Sequence, residues 1–230
     1  MLAILHEDAD LLVVDKPAGL VCHPSKAGET SSLIGRVRLH LGHTEGRLVN
    51  RLDRETSGVV LIAKSAQTAR ELGKVFASDG AVEKVYDAIV HGRLDGAVTI
   101  DAPLGKDDQS PVAIKDCVRA DGAPARTDVR PIETFSHAEA ELTRVEARPR
   151  TGRKHQIRIH LAHIGHPIVG DKLYGPDERI YLRFVTGTMT SEDEAALIVR
   201  YHALHARRLA FTWRGKRWEF EAAITAPASG

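Results

Sequence analysis

From Val82 to Ala147 the chain runs through one strand-like segment after another, with no amphipathic helix between them. The segments are Val82 to Val90, Val98 to Ile100, Val112 to Val118, Thr127 to Ile132 and Glu139 to Ala147, the last two alternating apolar and polar residues with period two. A doubly wound parallel sheet needs a crossover, usually a helix, between successive strands, and that pattern is missing here. The sequence therefore predicts an α+β fold with a largely antiparallel mixed β-sheet flanked by helices and loops. Two strands are expected upstream. Leu11-Leu12-Val13-Val14-Asp15 is a buried run ended by Lys16-Pro17-Ala18-Gly19, and Gly58-Val59-Val60-Leu61-Ile62-Ala63 reads as buried on both faces. Thr30 or Ser31 is expected to cap a helix through about Leu41, with Gly42 just past its end. Ser65 is expected to cap a helix through about Ala77 whose apolar face holds Leu72, Val75 and Phe76. His155 to Ile164 fits a third, with Ile157, Leu161 and Ile164 on one face and Gly165 closing it. Leu209 to Trp213 and Trp218 to Ala222 flank Arg214-Gly215-Lys216-Arg217 as a hairpin, and the polar, acidic stretch from Thr186 to Ala196 fits a surface insertion.

Composition narrows the class further. The chain has 230 residues, 43% hydrophobic and 27% charged, an ordinary soluble balance. No apolar run approaches the roughly 18 residues that a membrane helix needs. The opening residues Met1 to Asp8 lack the basic start and long apolar stretch of a signal peptide. Two cysteines, Cys22 and Cys117, make no disulfide framework and fit free thiols in the cytoplasm. There is no internal repeat and no low-complexity linker, so residues 1–230 are expected to form a single domain. Net charge is only +1, yet basic residues are clustered. Arg144, Arg148, Arg150, Arg153, Lys154 and Arg158 face the single acid Glu146 within one stretch, and Arg207, Arg208, Arg214, Lys216 and Arg217 lie in another that has no acid. Such clusters fit either a phosphate-binding face or two solvated strand faces, and charge alone does not separate them. Aromatic residues, at 5%, form no evident stacking platform.

The densest group of reactive side chains is Leu48-Val49-Asn50-Arg51-Leu52-Asp53-Arg54-Glu55-Thr56-Ser57-Gly58, just before a buried strand. Asp53 has Arg51 two residues before it and Arg54 immediately after it. Guanidinium neighbours favour the ionised form of a carboxylate, which suits a nucleophile or base at neutral pH; a structural ion pair in a loop would look the same by spacing. Thr56 and Ser57 can satisfy loop amides, and Gly58 permits an unusual backbone angle.

Arg51-Leu52-Asp53-Arg54-Glu55-Thr56-Ser57-Gly58 resembles the signature of the RluA family of pseudouridine synthases, usually His-Arg-Leu-Asp, two variable residues, then Thr-Ser-Gly. The resemblance extends in order through Val14-Asp15-Lys16-Pro17-Ala18-Gly19-Leu20-Val21 with His23-Pro24, and through Lys84-Val85-Tyr86-Asp87-Ala88-Ile89-Val90-His91-Gly92. It continues in Arg150-Thr151-Gly152-Arg153-Lys154-His155-Gln156-Ile157-Arg158-Ile159-His160-Leu161, in His166 to Asp171 with Tyr174-Gly175, and in Leu204-His205-Ala206. These matches cover about Leu11 to Ala222. One departure is Asn50, where the family usually has histidine; asparagine still donates and accepts hydrogen bonds, so altered loop contacts are expected.

The resemblance implies a pseudouridine synthase fold in one catalytic domain, with no separate N-terminal RNA-binding domain. It implies isomerisation of uridine in structured ribosomal or transfer RNA, without cofactor or metal, and without a membrane or an obligate protein partner. Asp53 would be the catalytic carboxylate. Tyr86 would pack on the uracil and serve as base at carbon five, and Arg158 would pair with Asp53. Arg51 would fill the space left by the extruded base, and Arg54, Arg153, Lys154, His155 and Gln156 would help bind the substrate. Two other classes are weighed against this. A catalytically inactive RNA-binding protein of the same fold would keep the basic stretches and tolerate loss of Asp53, Tyr86 or Arg158. A metalloenzyme would use His155, His160, His163 and His166, although Gly165 and Pro167 interrupt the helix among them. Phosphate-loop, dinucleotide-binding and nucleophile-elbow patterns do not occur.

Overall fold

The computed structural model describes residues 2–24, 31–43, 45–78, 80–138 and 140–223. The chain divides into two compact units. Of the described residues, the first holds those up to Val85 and those from His205 on, and the second holds Tyr86–Leu204.

The first unit opens with β1 (Ala3–Glu7) and β2 (Leu11–Lys16), followed by α1 (Leu33–Leu41), β3 (Arg47–Leu48), β4 (Ser57–Ala63) and α2 (Ala66–Ala77). The chain then enters β5 (Val82–His91), whose residues up to Val85 belong here. Antiparallel β2 and β4 form the centre, in register from Leu11 opposite Ala63 to Lys16 opposite Gly58. Leu11, Val13, Val59, Leu61 and Ala63 share one face by the period of two, and α2 packs on that cluster through Leu72, Ala69, Val75 and Phe76. Leu12, Val14, Val60 and Ile62 point the other way and are also fully buried, so this pair is apolar throughout. Ser65 caps α2 as expected, its hydroxyl accepting from Thr68 N at 3.1 Å. The cap of α1 is Ser32 rather than Thr30 or Ser31; Thr30 lies outside the described residues.

The second unit continues β5 from Tyr86 and adds β6 (Val98–Asp101), β7 (Leu104–Lys106), β8 (Asp116–Val118), β9 (Arg126–His137) and β10 (Ala140–Pro149). Helices α3 (Gln156–His163), α4 (Arg179–Thr186) and α5 (Ser191–Leu197) follow. Here β5, β10, β9 and β6 lie side by side and antiparallel, and β7 pairs β8 separately. Pro131 lies inside β9 opposite Val145, where the register with β10 slips, the kind of irregular position at which strands accept proline. The apolar face of α3 is as the sequence predicts: Ile157, Leu161 and Ile164 join Ala88, Val90, Val129 and Val145, while Ile159 and Ala162 on its other side pack with Leu173 and Tyr174.

One strand expectation changes. The strand expected from Val112 to Val118 shrinks to Asp116–Val118, because Lys115 N turns back to donate to Val112 O at 2.9 Å. The stretch from Thr186 to Ala196 is mostly exposed, as expected of a surface insertion, and it holds α5, started by a capping box between Thr190 and Asp193, with Asp193 clamped by Arg183. The first unit is completed by β11 (Leu204–Trp213) and β12 (Lys216–Glu221), the expected hairpin. His205 and Ala206 of β11 run parallel to Ser57 and Gly58.

Gly58 makes this parallel contact possible. Its φ is +111°, a region that L side chains rarely adopt, and an added Cβ would collide with the backbone carbonyl of Ala206. Gly58→Ala is expected to destabilise the protein by about 3 kcal/mol or more. The midpoint of urea denaturation, followed by far-ultraviolet circular dichroism, checks this; an unchanged midpoint would contradict it.

Candidate active site

Asp53 lies in the loop between β3 and β4, and that loop is tied down at several points. At its start Val49 N donates to Leu61 O at 2.9 Å. Asn50 spans the next stretch: its amide nitrogen donates to Val59 O at 3.2 Å and its oxygen accepts from Leu61 N at 2.8 Å. Asparagine in the place of the usual histidine therefore docks the loop on β4 with both ends of its amide. Further along, Cys22 Sγ accepts from Leu52 N at 3.4 Å and donates to Leu52 O at 3.3 Å. Arg54 O accepts from Gly19 N at 2.9 Å and from Lys16 Nζ at 3.1 Å, and Arg54 Nε donates to Gly19 O at 3.3 Å. The loop is thus zipped to the turn that follows β2.

In sequence, Lys16 ends a strand and lies within a motif of the resemblance, with no role assigned to it; it is wholly buried. Its ammonium donates to Pro17 O at 2.9 Å, Leu20 O at 2.8 Å and Arg54 O. Burial pushes its pKa down to about 8, partly offset by Cys22, Asp53 and Asp15. The Cys22 thiol is pushed up, chiefly by burial. Ser57 bonds to His205 Nδ1 at 2.9 Å, and His205 Nε2 faces Ala222 O at 3.2 Å. A carbonyl can only accept, so Nε2 carries a proton; in a neutral ring Nδ1 then accepts from the Ser57 hydroxyl. Ser57 serves β11 in this way and not the loop amides expected of it.

In the second unit Arg158, on α3, is buried and makes a bidentate pair with fully buried Asp171, Nε to Oδ2 at 2.7 Å and Nη2 to Oδ1 at 2.9 Å. Burial alone would raise the Asp171 carboxyl; the Arg158 guanidinium outweighs it and holds the group well below the usual carboxylate range. The Arg158 guanidinium also lies 5.0 Å from the centre of the Tyr174 ring, whose hydroxyl meets His155 Nδ1 at 2.9 Å. His155, at φ +55°, starts α3 without a side-chain cap bond. Gln156 is buried: its oxygen accepts from Thr151 Oγ1 and Arg153 N, and its nitrogen donates to Arg126 O and Thr127 Oγ1. A side chain engaged at both ends shapes the loop that presents Arg153 and Lys154. Those two are exposed, with Arg153 Nε on Pro124 O at 3.1 Å and Lys154 Nζ on Ile114 O at 2.9 Å and Asp116 at 2.8 Å. Tyr86 is half-buried against the cluster that holds Val90, Val145 and Ile157.

Three of the four histidines weighed as metal ligands, His155, His160 and His166, have other hydrogen-bond partners. His160 is fully buried between Thr127 Oγ1 and Ala102 O, both at 2.9 Å, and His166 Nδ1 meets His91 O. Among the described residues no group of three or more His, Cys, Asp or Glu converges to hold a metal ion. The basic stretches are largely paired. Arg148 and Arg130 share Glu146, and Arg150 meets Asp128 at 2.7 Å. Arg208 and Arg217 both meet Glu83, and Arg214 meets Asp10 and Glu71.

Comparison with known proteins agrees with the motifs. A family model described as RNA pseudouridylate synthase matches residues 10–163. An uncharacterized RNA pseudouridine synthase of Chloroflexus aurantiacus is 39% identical over 168 residues, which cover 70% of this chain and 51% of that protein. Ribosomal large subunit pseudouridine synthase D of Pseudomonas aeruginosa is 37% identical over 186 residues, 78% of this chain and 55% of that protein. The chain thus spans little more than half the length of these relatives. Among solved structures, Human RNA Pseudouridylate Synthase Domain Containing 1 is similar over 97% of this chain and 84% of its own, with a TM-score of 0.78 and 26% identity.

Glu146 gives a test of the electrostatics. Hydrogen bonding from Arg130, joined by Arg148, outweighs burial and holds its pKa at about 2 against an ordinary 4.5. A depressed carboxyl pKa adds stability that is whole above the unfolded value and is lost as the pH falls through the folded one. Stability is therefore expected to drop between pH 4.5 and about 2, and Glu146→Gln is expected to make that drop shallower. Urea midpoints at stepped pH measure it; parallel profiles for the two proteins would contradict the assignment.

Proposed function

Because the chain belongs to the RNA pseudouridylate synthase family, of the RluA type its motifs resemble, we propose that it isomerises uridine to pseudouridine in RNA with Asp53 as the catalytic carboxylate. The observation that carries this reading is the loop itself. Asp53 follows Leu52 and precedes Arg54, and the backbone of both neighbours is hydrogen-bonded to a second segment. A reacting carboxylate needs such preorganisation, because misplacement by about 1 Å can cost about a hundredfold in rate.

The reaction breaks the bond between uracil N1 and the ribose, turns the base and rejoins it through carbon five; carbon five gives up its proton and N1 gains one. Product and substrate are isomers, so the balance closes without an oxidant, reductant or energy source. Asp53 acts at the sugar or the base. Tyr86 and Arg158, on the second unit, take the parts the family resemblance implies, Tyr86 against the uracil and at the carbon-five proton, Arg158 in support of the carboxylate. Arg51 fills the space left when the target base is extruded, a step that costs a few kcal/mol. Exposed Arg153 and Lys154, with Arg54 and His155, meet the RNA. The substrate class is structured ribosomal or transfer RNA, the compartment is the cytoplasm, and residues 1–230 act as one catalytic domain. Among the described residues no helix is long and apolar enough to cross a membrane.

Asp53→Asn is expected to abolish pseudouridine formation while RNA binding and the melting temperature stay near the parent's. Tyr86→Phe is expected to bind RNA and turn over slowly. Both are assayed on total RNA from a strain deleted for the gene, with pseudouridines mapped chemically. Normal turnover by Asp53→Asn would refute the carboxylate role, and an unchanged single-turnover rate in Tyr86→Phe would refute the tyrosine base.

A further inference from the structure

We propose that Lys16 and Cys22 are positioning residues, which clamp the peptide groups on the two sides of Asp53 and so fix where its carboxylate points. The inference rests on the reading of Asp53 as the catalytic carboxylate and adds two residues that this reading does not use.

Lys16 is out of place by ordinary packing rules. It closes a strand whose residues Leu11 to Val14 are all fully buried, and its own exposure is 0%. A buried ammonium is costly unless every proton finds an acceptor. This one has three acceptors for three protons, and they come from two separate segments. Pro17 and Leu20 belong to the turn after β2, and Arg54 to the loop before β4. The ammonium therefore joins turn to loop at the residue after Asp53. Cys22 does the same at the residue before it: one sulfur meets both the N–H and the C=O of Leu52. Gly19 adds a backbone bond to Arg54 O. With Leu52 and Arg54 both held, the backbone direction at Asp53 is set from each side.

The clamp is sensitive to charge. Burial holds the Lys16 pKa at about 8, and the groups facing it are Asp15 on its own strand, Cys22 from the turn and Asp53 from the loop, with Arg51 acting in turn on Cys22. Loss of a proton above that pH removes one donor from the three carbonyls.

The test uses the full-length protein and total RNA from a strain deleted for the gene. The variants are Cys22→Ala, Cys22→Ser and Lys16→Met, with Asp53→Asn alongside. Cys22→Ala is expected to lower kcat by about 10- to 100-fold, with KM for RNA and melting temperature close to the parent's. Cys22→Ser, which keeps a donor and an acceptor, is expected to restore most of that loss. The parent is expected to lose activity above about pH 8, and Lys16→Met to be slower at every pH and to lack this alkaline limb. If Lys16→Met does not fold, the Cys22 pair decides alone. Parental kcat in Cys22→Ala, or a loss that serine does not restore, overturns the clamp. If Asp53→Asn is inactive in the same assay, only the clamp has failed; if Asp53→Asn is active, the carboxylate reading falls and the clamp with it.

Discussion

The antiparallel pairing of β2 with β4 is the constraint from which the rest of the first unit follows. Its register ends with Lys16 opposite Gly58. That one pairing puts the turn leaving β2 and the loop entering β4 at the same end of two buried strands. The bonds between turn and loop depend on it, the thiol of Cys22 on Leu52 and the ammonium of Lys16 on Arg54, while the amide of Asn50 adds a tie to β4 itself through Val59 and Leu61. A slip of one residue would turn Leu11 and Val13 from one apolar cluster to the other face and carry Lys16 with them. Apolar strands thus fix the place of a polar loop that they do not themselves form.

The second unit uses a different device. Around α3 the buried polar groups form a connected series: Arg158 with Asp171, Asp171 with the amides of Leu173 and Tyr174, Tyr174 with His155. A buried ion pair is seldom a strong source of net stability, but breaking one strands a charge in a dry site. Its effect here is to hold the start of α3 and the segment after it in one arrangement, with Gln156 doing the same for residues 151–153.

Much of this was written in local sequence. The apolar run of β4, the Ser65 cap and the face of α2, and the three residues by which α3 meets its sheet all follow from periodicity, and the structure has them as expected. Short and exposed elements escaped. β1 is an edge strand whose residues are mostly exposed and do not alternate, and β7 has three residues, too few for any period. α5 was hidden by its acidity, although Thr190 and Asp193 spell a capping box that could have marked it. Asp53 stood out because its neighbours are charged, and family resemblance gave it a role. Lys16 and Cys22 did not stand out, since nothing in a one-dimensional pattern says that a lysine at a strand end will be swallowed or that a lone cysteine will face a peptide group thirty residues away.

The pairing of the surface arginines has a bearing on how the molecule meets a polyanion. A guanidinium already seated on a carboxylate brings little new neutralisation to a phosphate, and displaces few of the small cations condensed around a nucleic acid. Glu146 occupies Arg130 and Arg148, and Glu83 occupies Arg208 and Arg217. On the proposed function, the ionic-strength dependence of RNA binding should therefore reflect far fewer charges than a tally of arginines and lysines implies, and residues such as Arg153, whose guanidinium rests on a neutral carbonyl, should dominate it.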